Sequence, residues 1–415
     1  MLPLLSIKQF LQDLRNQKLR TFMTMFGILW GTVSIILLMA FGTGMSEYHM
    51  RKARGLGENI AIIWPGITSE PWKGLPRGRR IPFTSEDVAR IKESNPLVEI
   101  ISPEFPAGNV MLKSQRNNMR ARVVGVWPEF HEMRNIFPQA GGRFINDKDL
   151  SDKRRVVFIG DELAEKLYPG EDPVGQTMQI RGTPFVIVGV MQSKEQNSSY
   201  GERDRRIAYV PSTTFHTMFS RQYPENMVLK AIDDNSIQGA IDGVYRYLAA
   251  KYNFNPDDTE ALSVWDVTEG FKFLNTFFLA FRLFLVGTGC LTLITGGIGV
   301  TNIMNVVLEE RTKEIGIKMA LGAKKRTIMS QFIFETVLLT GLGGAIGFGI
   351  AYGIVTAFSF LDQNSDVIKN LGIPTMHTVE NIAAVCILGL IAFLAGFFPA
   401  RRAANLEPVK ALKLF

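Results

Sequence analysis

EERTKEIGIKMALGAKKR (residues 309–326) is a charged, helix-prone cassette set between two long apolar runs, 283–308 and 336–361. Neither run contains a charged residue, and two more of the same kind occur at 21–46 and 381–400. A helix rises about 1.5 Å per residue and the hydrocarbon core of a bilayer is roughly 30 Å thick, so about 20 apolar residues suffice to cross it. All four runs meet that length, whereas buried helices of a large soluble protein are shorter and carry polar faces. The chain reads as a four-span membrane protein. A mean hydropathy of +0.09 over 415 residues hides this uneven distribution.

The run at 21–46 is too long for the apolar region of a signal peptide. The residues after it, GTGMSEYHM, offer no small-x-small cleavage site, so it reads as a retained span. Ahead of it, residues 5–20 place Ile7, Phe10, Leu11 and Leu14 opposite Lys8, Asp13 and Arg15, the pattern of an amphipathic helix at the membrane surface.

Charge sets the orientation. The segment before the first span, the cassette, and the segment after the last span each carry a net +3, together +9 in a chain of +7. Four spans put all three segments on one side, and the Lys/Arg bias makes that side cytoplasmic. The expected organisation is a cytoplasmic helix at 1–20, span one at 21–46, an extracytoplasmic domain at 47–272, and a stalk with span two at 273–308. The cytoplasmic cassette follows at 309–326, then span three at 327–361, an outer loop at 362–380, span four at 381–400 and a cytoplasmic tail at 401–415. The basic balance therefore reflects topology and contact with membrane lipid, and no single soluble fold gathers it as nucleic-acid binding would require.

Residues 47–272 are long enough for one or two compact units. Strand-like runs occur at 59–66, 98–105, 119–127, 154–160, 185–191 and 206–211. Helical patterns such as SEDVARIKES, DELAEKLY and SIQGAIDGVYRYLAAKY alternate with them, which argues for α+β lobes rather than a sandwich. The polar stretch at 192–206 reads as a mobile loop. Cys290 and Cys386 both fall inside spans, so this large domain has no disulfide framework. Arg282 sits ahead of span two; 27 residues of helix before Glu309 extend roughly 40 Å, which places it near the outer interface.

Catalytic signals are missing. There is no GK dipeptide and hence no P-loop. The glycine clusters at 296–300 and 341–353 lie in spans, where small-xxx-small spacing such as Gly349 to Gly353 means close helix packing. His49, His131, His216 and His377 show no metal-ligand spacing, and no G-x-S-x-G is accompanied by an acid and base. No catalytic, cofactor or metal site is expected in this chain.

Within the cassette, Glu314 and Lys318 stand four apart with the acid first, the favourable order for an ion pair on a helix. Ile315 and Met319 share one side, while Ile317, Ala320 and Leu321 form an adjacent strip. Gly322 is placed to end the helix in a left-handed cap. Physics alone leaves two readings open: a loop helix resting on anionic lipid, or a rigid knob offered to a soluble partner.

The stretch NIMNVVLEERTKEIGIKMALGAKKRTIMSQFIFE resembles the cytoplasmic loop of MacB-like permeases of ABC transporters, the FtsX-like family. LRTFMTMFGILWGTVSIILLMAFGTG, LGENIAIIWPG, GDELAEKLYPGEDPVGQTMQIRGTPFVIVGVM and FFPARRAANLEPVKAL are similar to further family segments, in order, along nearly the whole chain. The resemblance implies four transmembrane helices plus an extracytoplasmic α+β domain of two lobes inserted between helices 1 and 2. It also implies a dimer, here a homodimer, in a bacterial cytoplasmic (inner) membrane with both termini cytoplasmic. ATP-Mg is hydrolysed by cytoplasmic ABC ATPase subunits on another polypeptide, docked on the loop between spans two and three. The coupling role carries over to Glu314, Ile315, Gly316, Ile317, Lys318, Ala320, Leu321, Gly322 and Ala323. Lys318 departs from the more common Arg, and the ending VKALKLF departs from the family's more acidic form.

The function implied is ATP-driven mechanotransmission that exports a substrate, with a periplasmic adaptor as a further partner of some members. Lipoprotein release and activation of a cell-wall hydrolase are rivals within the family; a membrane sensor or scaffold without transport is the rival outside it. A secondary transporter is disfavoured by four spans, no internal repeat and no acidic residue deep in a span.

Overall fold

A computed structural model describes residues 18–196, 198–360, 368 and 372–407. The surface helix expected over 5–20 falls outside these up to residue 17, as do much of the expected outer loop and the tail from 408 onward. The described chain divides into two units, Met50–Asn275 and the combination of Met1–His49 with Thr276–Phe415.

The elements run in this order: α1 (Lys18–Arg54), β1 (Ile60–Pro65), α2 (Ser85–Ser94), β2 (Val98–Lys113), β3 (Asn118–Val126), α3 (Phe130–Met133), α4 (Asp147–Ser151), β4 (Val156–Ile159) and α5 (Asp161–Leu167). They continue with β5 (Thr177–Ile180), β6 (Thr183–Val190), β7 (Ile207–Pro211), α6 (Ser212–Phe219), β8 (Asn226–Ala231), α7 (Ile237–Tyr252), β9 (Leu262–Asp266) and α8 (Val267–Glu310). The chain closes with α9 (Thr312–Ala320), α10 (Lys325–Ser359) and α11 (Thr378–Ala404).

In the unit Met50–Asn275 the nine strands form one mixed sheet ordered β3-β7-β4-β6-β5-β2-β8-β1-β9, and a further β2–β3 pairing closes six of them into a ring. The 16-residue β2 serves both lobes. Its first half pairs antiparallel with β8, from Val98 opposite Ala231 to Glu104 opposite Asn226. Its second half pairs with β3, from Phe105 opposite Gly125 to Lys113 opposite Asn118. Strand β1 is buried on both faces of the sheet. Ala61 and Ile63 enter one apolar cluster with Val88, Ile91, Ile241 and Val244 of α2 and α7, while Ile60 and Ile62 enter another with Phe130, Met133 and Tyr209. An uninterrupted apolar run is what such a strand requires.

Helix α2 begins at a capping box in which Thr84 and Asp87 satisfy each other's backbone N–H groups. Asp87 is fully buried and also accepts from Lys251 and Tyr252, which fastens α2 to α7.

In the other unit, α1, α8, α10 and α11 are each long and apolar enough to cross a membrane. Glycine sets their spacing. A Cβ at Gly296 of α8 would lie 2.6 Å from the Gly27 carbonyl oxygen of α1, so only hydrogen fits there. On α10 the close contacts belong to Gly343, Gly344 and Gly347, which face α1 and α11. Gly349 and Gly353, expected from their spacing to pack a neighbour, point into open space. The buried stripe of α10 runs through Thr336, Thr340, Gly343, Gly347, Ala351 and Val355, and Gly349 and Gly353 lie off it.

Candidate functional site

The cassette 309–326 folds as the end of α8, the short helix α9 and the start of α10. Arg311 is the residue between α8 and α9, and Lys324 caps α10. Helix α9 ends as the sequence predicts. Gly322 sits at φ +95°, its N–H bonds to the Met319 carbonyl at 3.1 Å, and the Ala323 N–H reaches the Lys318 carbonyl at 3.0 Å. These two bonds are the Schellman pair, which needs a residue in the left-handed region at its centre.

Nine residues divide by face. Ile315 and Gly316 are buried, and Ala323 packs with Met319 against Leu308, Ile328 and Phe332. Burying an isoleucine side chain stabilises by roughly 1.5–3 kcal/mol, which holds α9 on the bundle. On the opposite face Ile317 is 44% exposed and Leu321 83% exposed, with Ala320 and Gly322 exposed beside them. Glu314 and Lys318 flank this apolar strip and join at 2.7 Å. An exposed pair of this kind contributes about 0.3–0.5 kcal/mol.

The anchor of α9 is one that motif spacing missed. Arg311 Nη1 donates to both oxygens of Glu335 on α10, at 3.1 and 3.3 Å, and Gln331 donates to Glu335 at 3.1 Å. Glu335 is 7% exposed, so it is a buried structural partner of Arg311. A lone carboxylate beside an apolar run signals a partner, but 24 residues of separation hide which one.

A second cluster lies in the unit Met50–Asn275. Arg134 pairs with Asp204 at 2.8 Å, and Lys194 reaches the same carboxylate at 2.7 Å. Tyr209 donates to Asp204 at 2.9 Å. The Arg134 guanidinium stacks on the Tyr200 ring, and the Tyr200 hydroxyl donates to Glu104 at 2.6 Å, with Asn226 as that carboxylate's second donor. Burial pushes Asp204 upward, but Arg134 and Lys194 outweigh it and hold the carboxyl below its usual range. For Glu104 burial wins over the Arg134 charge and the two donors, so its carboxyl is raised. Burial likewise lowers the Lys194 ammonium. Within 192–206, expected to be a mobile loop, Lys194, Tyr200 and Asp204 are held by this network. The buried polar residues of the stretch, Gln196 and Asp204, are joined to each other and to that network, while Gln192, Ser193, Glu195, Glu202 and Arg203 are exposed. The members are scattered from 104 to 226, and no local pattern announces them.

Among the described residues no group of three or more His, Cys, Asp or Glu is placed to hold a metal.

The MacB-like periplasmic core domain matches residues 21–245, and the FtsX-like permease C-terminal model matches 286–408. The macrolide export ATP-binding/permease protein MacB of Rhodospirillum rubrum is 29% identical over 98% of this chain and 60% of its own length. Its namesakes from Neisseria meningitidis serogroup A and Vibrio parahaemolyticus are 28% and 29% identical over 98% of the chain, covering 60% and 59% of those proteins. The chain thus spans about 60% of the length of the curated relatives it matches. Among solved structures, the periplasmic region of MacB from Actinobacillus actinomycetemcomitans is similar over 54% of this chain and 95% of its own, at 16% identity and a TM-score of 0.42. The extracellular domain of the transporter YknZ is similar over 50% of this chain and 100% of its own, at 19% identity and a TM-score of 0.41. The chain belongs to the MacB-like, FtsX-like family of ABC transporter permeases.

Proposed function

We propose that this permease converts ATP hydrolysis into movement of its extracytoplasmic domain and so drives export of a substrate. An ABC ATPase outside these 415 residues, acting as a partner subunit, binds and hydrolyses ATP-Mg. It docks on α9 at the cytoplasmic face, where both termini also lie. Two permease copies form the membrane unit, and a periplasmic adaptor extends the route outward.

One observation carries this reading. Helix α9 is fixed to the bundle by Ile315 and by the Arg311–Glu335 pair, yet it turns Ile317 and Leu321 outward. Side by side on the exposed face, Ile317 and Leu321 are open to a partner. Flanked by a modest ion pair, they form an apolar contact small enough to engage and release. Because α8 is a single 44-residue helix ending at the cassette, a push on α9 has a stiff element to travel along. At about 1.5 Å per residue it is roughly 66 Å long. The names of the MacB relatives favour export over the other uses of the fold.

The test is co-purification of the permease with its ATPase, comparing the native chain with Ile317→Asp and Leu321→Asp. Both substitutions fall on exposed positions, so membrane insertion and thermal midpoint should hold while ATPase recovery drops at least tenfold. Undiminished recovery with both variants contradicts the assignment of α9.

A further inference from the structure

Two cavities lie end to end between α8 and α11. One, of about 290 Å³, is apolar and is lined by Ile294, Gly297, Ile298, Ile391, Leu394 and Phe398. The other, of about 700 Å³, is polar and is lined by Asn305, Glu309, Arg401, Arg402 and Asn405. Thr301 and Phe398 border both, so the two are one groove that changes character along its length. Its floor is built by close helix approach. The Thr301 hydroxyl bonds the Ala395 carbonyl at 3.1 Å, and a Cβ at Gly297 would come within 2.8 Å of Ile391.

We propose that this groove binds an anionic glycerophospholipid, with an acyl chain in the apolar half and the phosphate against Arg401 and Arg402. Three features point to that occupant. The first is the order of the halves, since α8 and α11 are membrane-crossing helices and the apolar half lies toward their interior while the polar half lies at their charged ends. The second is charge: the arginines outnumber Glu309, leaving the polar half net positive, and among the described residues neither guanidinium has an ion-pair or hydrogen-bond partner. Basic pockets between spanning helices suit anionic headgroups. The third is the Asn305 side-chain oxygen, buried without a hydrogen-bond partner among the described residues. A headgroup hydroxyl supplies the missing donor. A second copy of the chain fits less well, because pairing this face with itself adds two more arginines to a surface already net positive. The proposal is independent of where the ATPase docks.

The experiment reconstitutes the full chain in bilayers of phosphatidylglycerol and phosphatidylcholine, then follows lipid retention by native mass spectrometry through stepwise detergent exchange. Phosphatidylglycerol should be retained over phosphatidylcholine by roughly tenfold or more, as two arginine contacts imply. Arg401→Gln with Arg402→Gln should abolish that preference, and the double lysine replacement should keep most of it. Ile298→Trp, which fills the apolar half, should reduce retention of both lipids. Equal retention of the two lipids by the native chain would overturn the site, as would a preference that survives loss of both arginines. Quantitative disulfide formation between two copies carrying Ile298→Cys would overturn it too, by showing that a second chain occupies the groove.

Discussion

Arg311 and Glu335 lock the short helix α9 to α10, with both carboxylate oxygens accepting from one guanidinium nitrogen at 3.1 and 3.3 Å and the side chains 18% and 7% exposed. The pair turns a loop between two spans into a fixed shape. The proposed transmission of force through α9 depends on that fixity, because a loose loop absorbs a push by rearranging.

Removing one partner of this pair should therefore cost more than removing both. Arg311→Gln or Glu335→Gln alone leaves a charge stranded in a largely buried place, at about 3 kcal/mol. The double variant should recover part of that loss, giving a coupling energy of about 1–3 kcal/mol in a double-mutant cycle on thermal stability. Simple additivity would mean the pair is incidental.

Gly322 is the second fixed point. Alanine there must hold φ near +95° or dissolve the Schellman bonds, and either costs about 1–2 kcal/mol locally. Gly349→Ala, which meets open space within a helix, should be neutral or stabilising by up to about 1 kcal/mol. Thermal midpoints of the two variants should thus move in opposite directions.

How far the sequence reveals the molecule depends on whether a feature is local. Charge-free runs mark α1, α8, α10 and α11 because crossing a bilayer demands length and apolarity from consecutive residues. The stop at Gly322 and the ion pair of Glu314 with Lys318 were legible for the same reason. Strands β5, β8 and β9 were not. Strand β5 is only four residues long and turns into β6 through Arg181 and Gly182, both at positive φ, without the usual Asn-Gly signature. Strand β2 was read only to residue 105 because its second half, from Phe105 to Lys113, pairs with different partners and carries a bulge between Ala107 and Val110. Glycine spacing failed at Gly349 and Gly353 because a period of four residues does not say which face of a helix is covered. Arg311 with Glu335, and Arg134 with Asp204, are long-range pairs that appear only once the chain is folded.

The buried network makes a prediction with a defined sign. Asp204 has a lowered carboxyl pKa, so its contribution to stability is present above its unfolded value of about 3.9 and is lost as pH falls through the folded one. Glu104 has a raised one, so its protonated form contributes stability below about 4.3 that is lost as pH rises through the folded value. Glu104→Gln should therefore gain in thermal midpoint relative to the native chain as pH increases from about 4 to 8. Asp204→Asn should lose about 3–5 kcal/mol at neutral pH by stranding Arg134 and Lys194, and the deficit should shrink under acid conditions. Midpoints that track the native chain at every pH would remove the network from the account.

The most direct examination of the central claim is photo-crosslinking from Leu321 in intact cells, with a photoreactive amino acid at that one position. A covalent product between the permease and a cytoplasmic ABC ATPase is expected, with a yield that changes when ATP hydrolysis is blocked. Products formed only with lipid, or labelling of a Leu321→Cys variant by a thiol reagent that cannot enter the cell, would show that α9 is not where the motor takes hold.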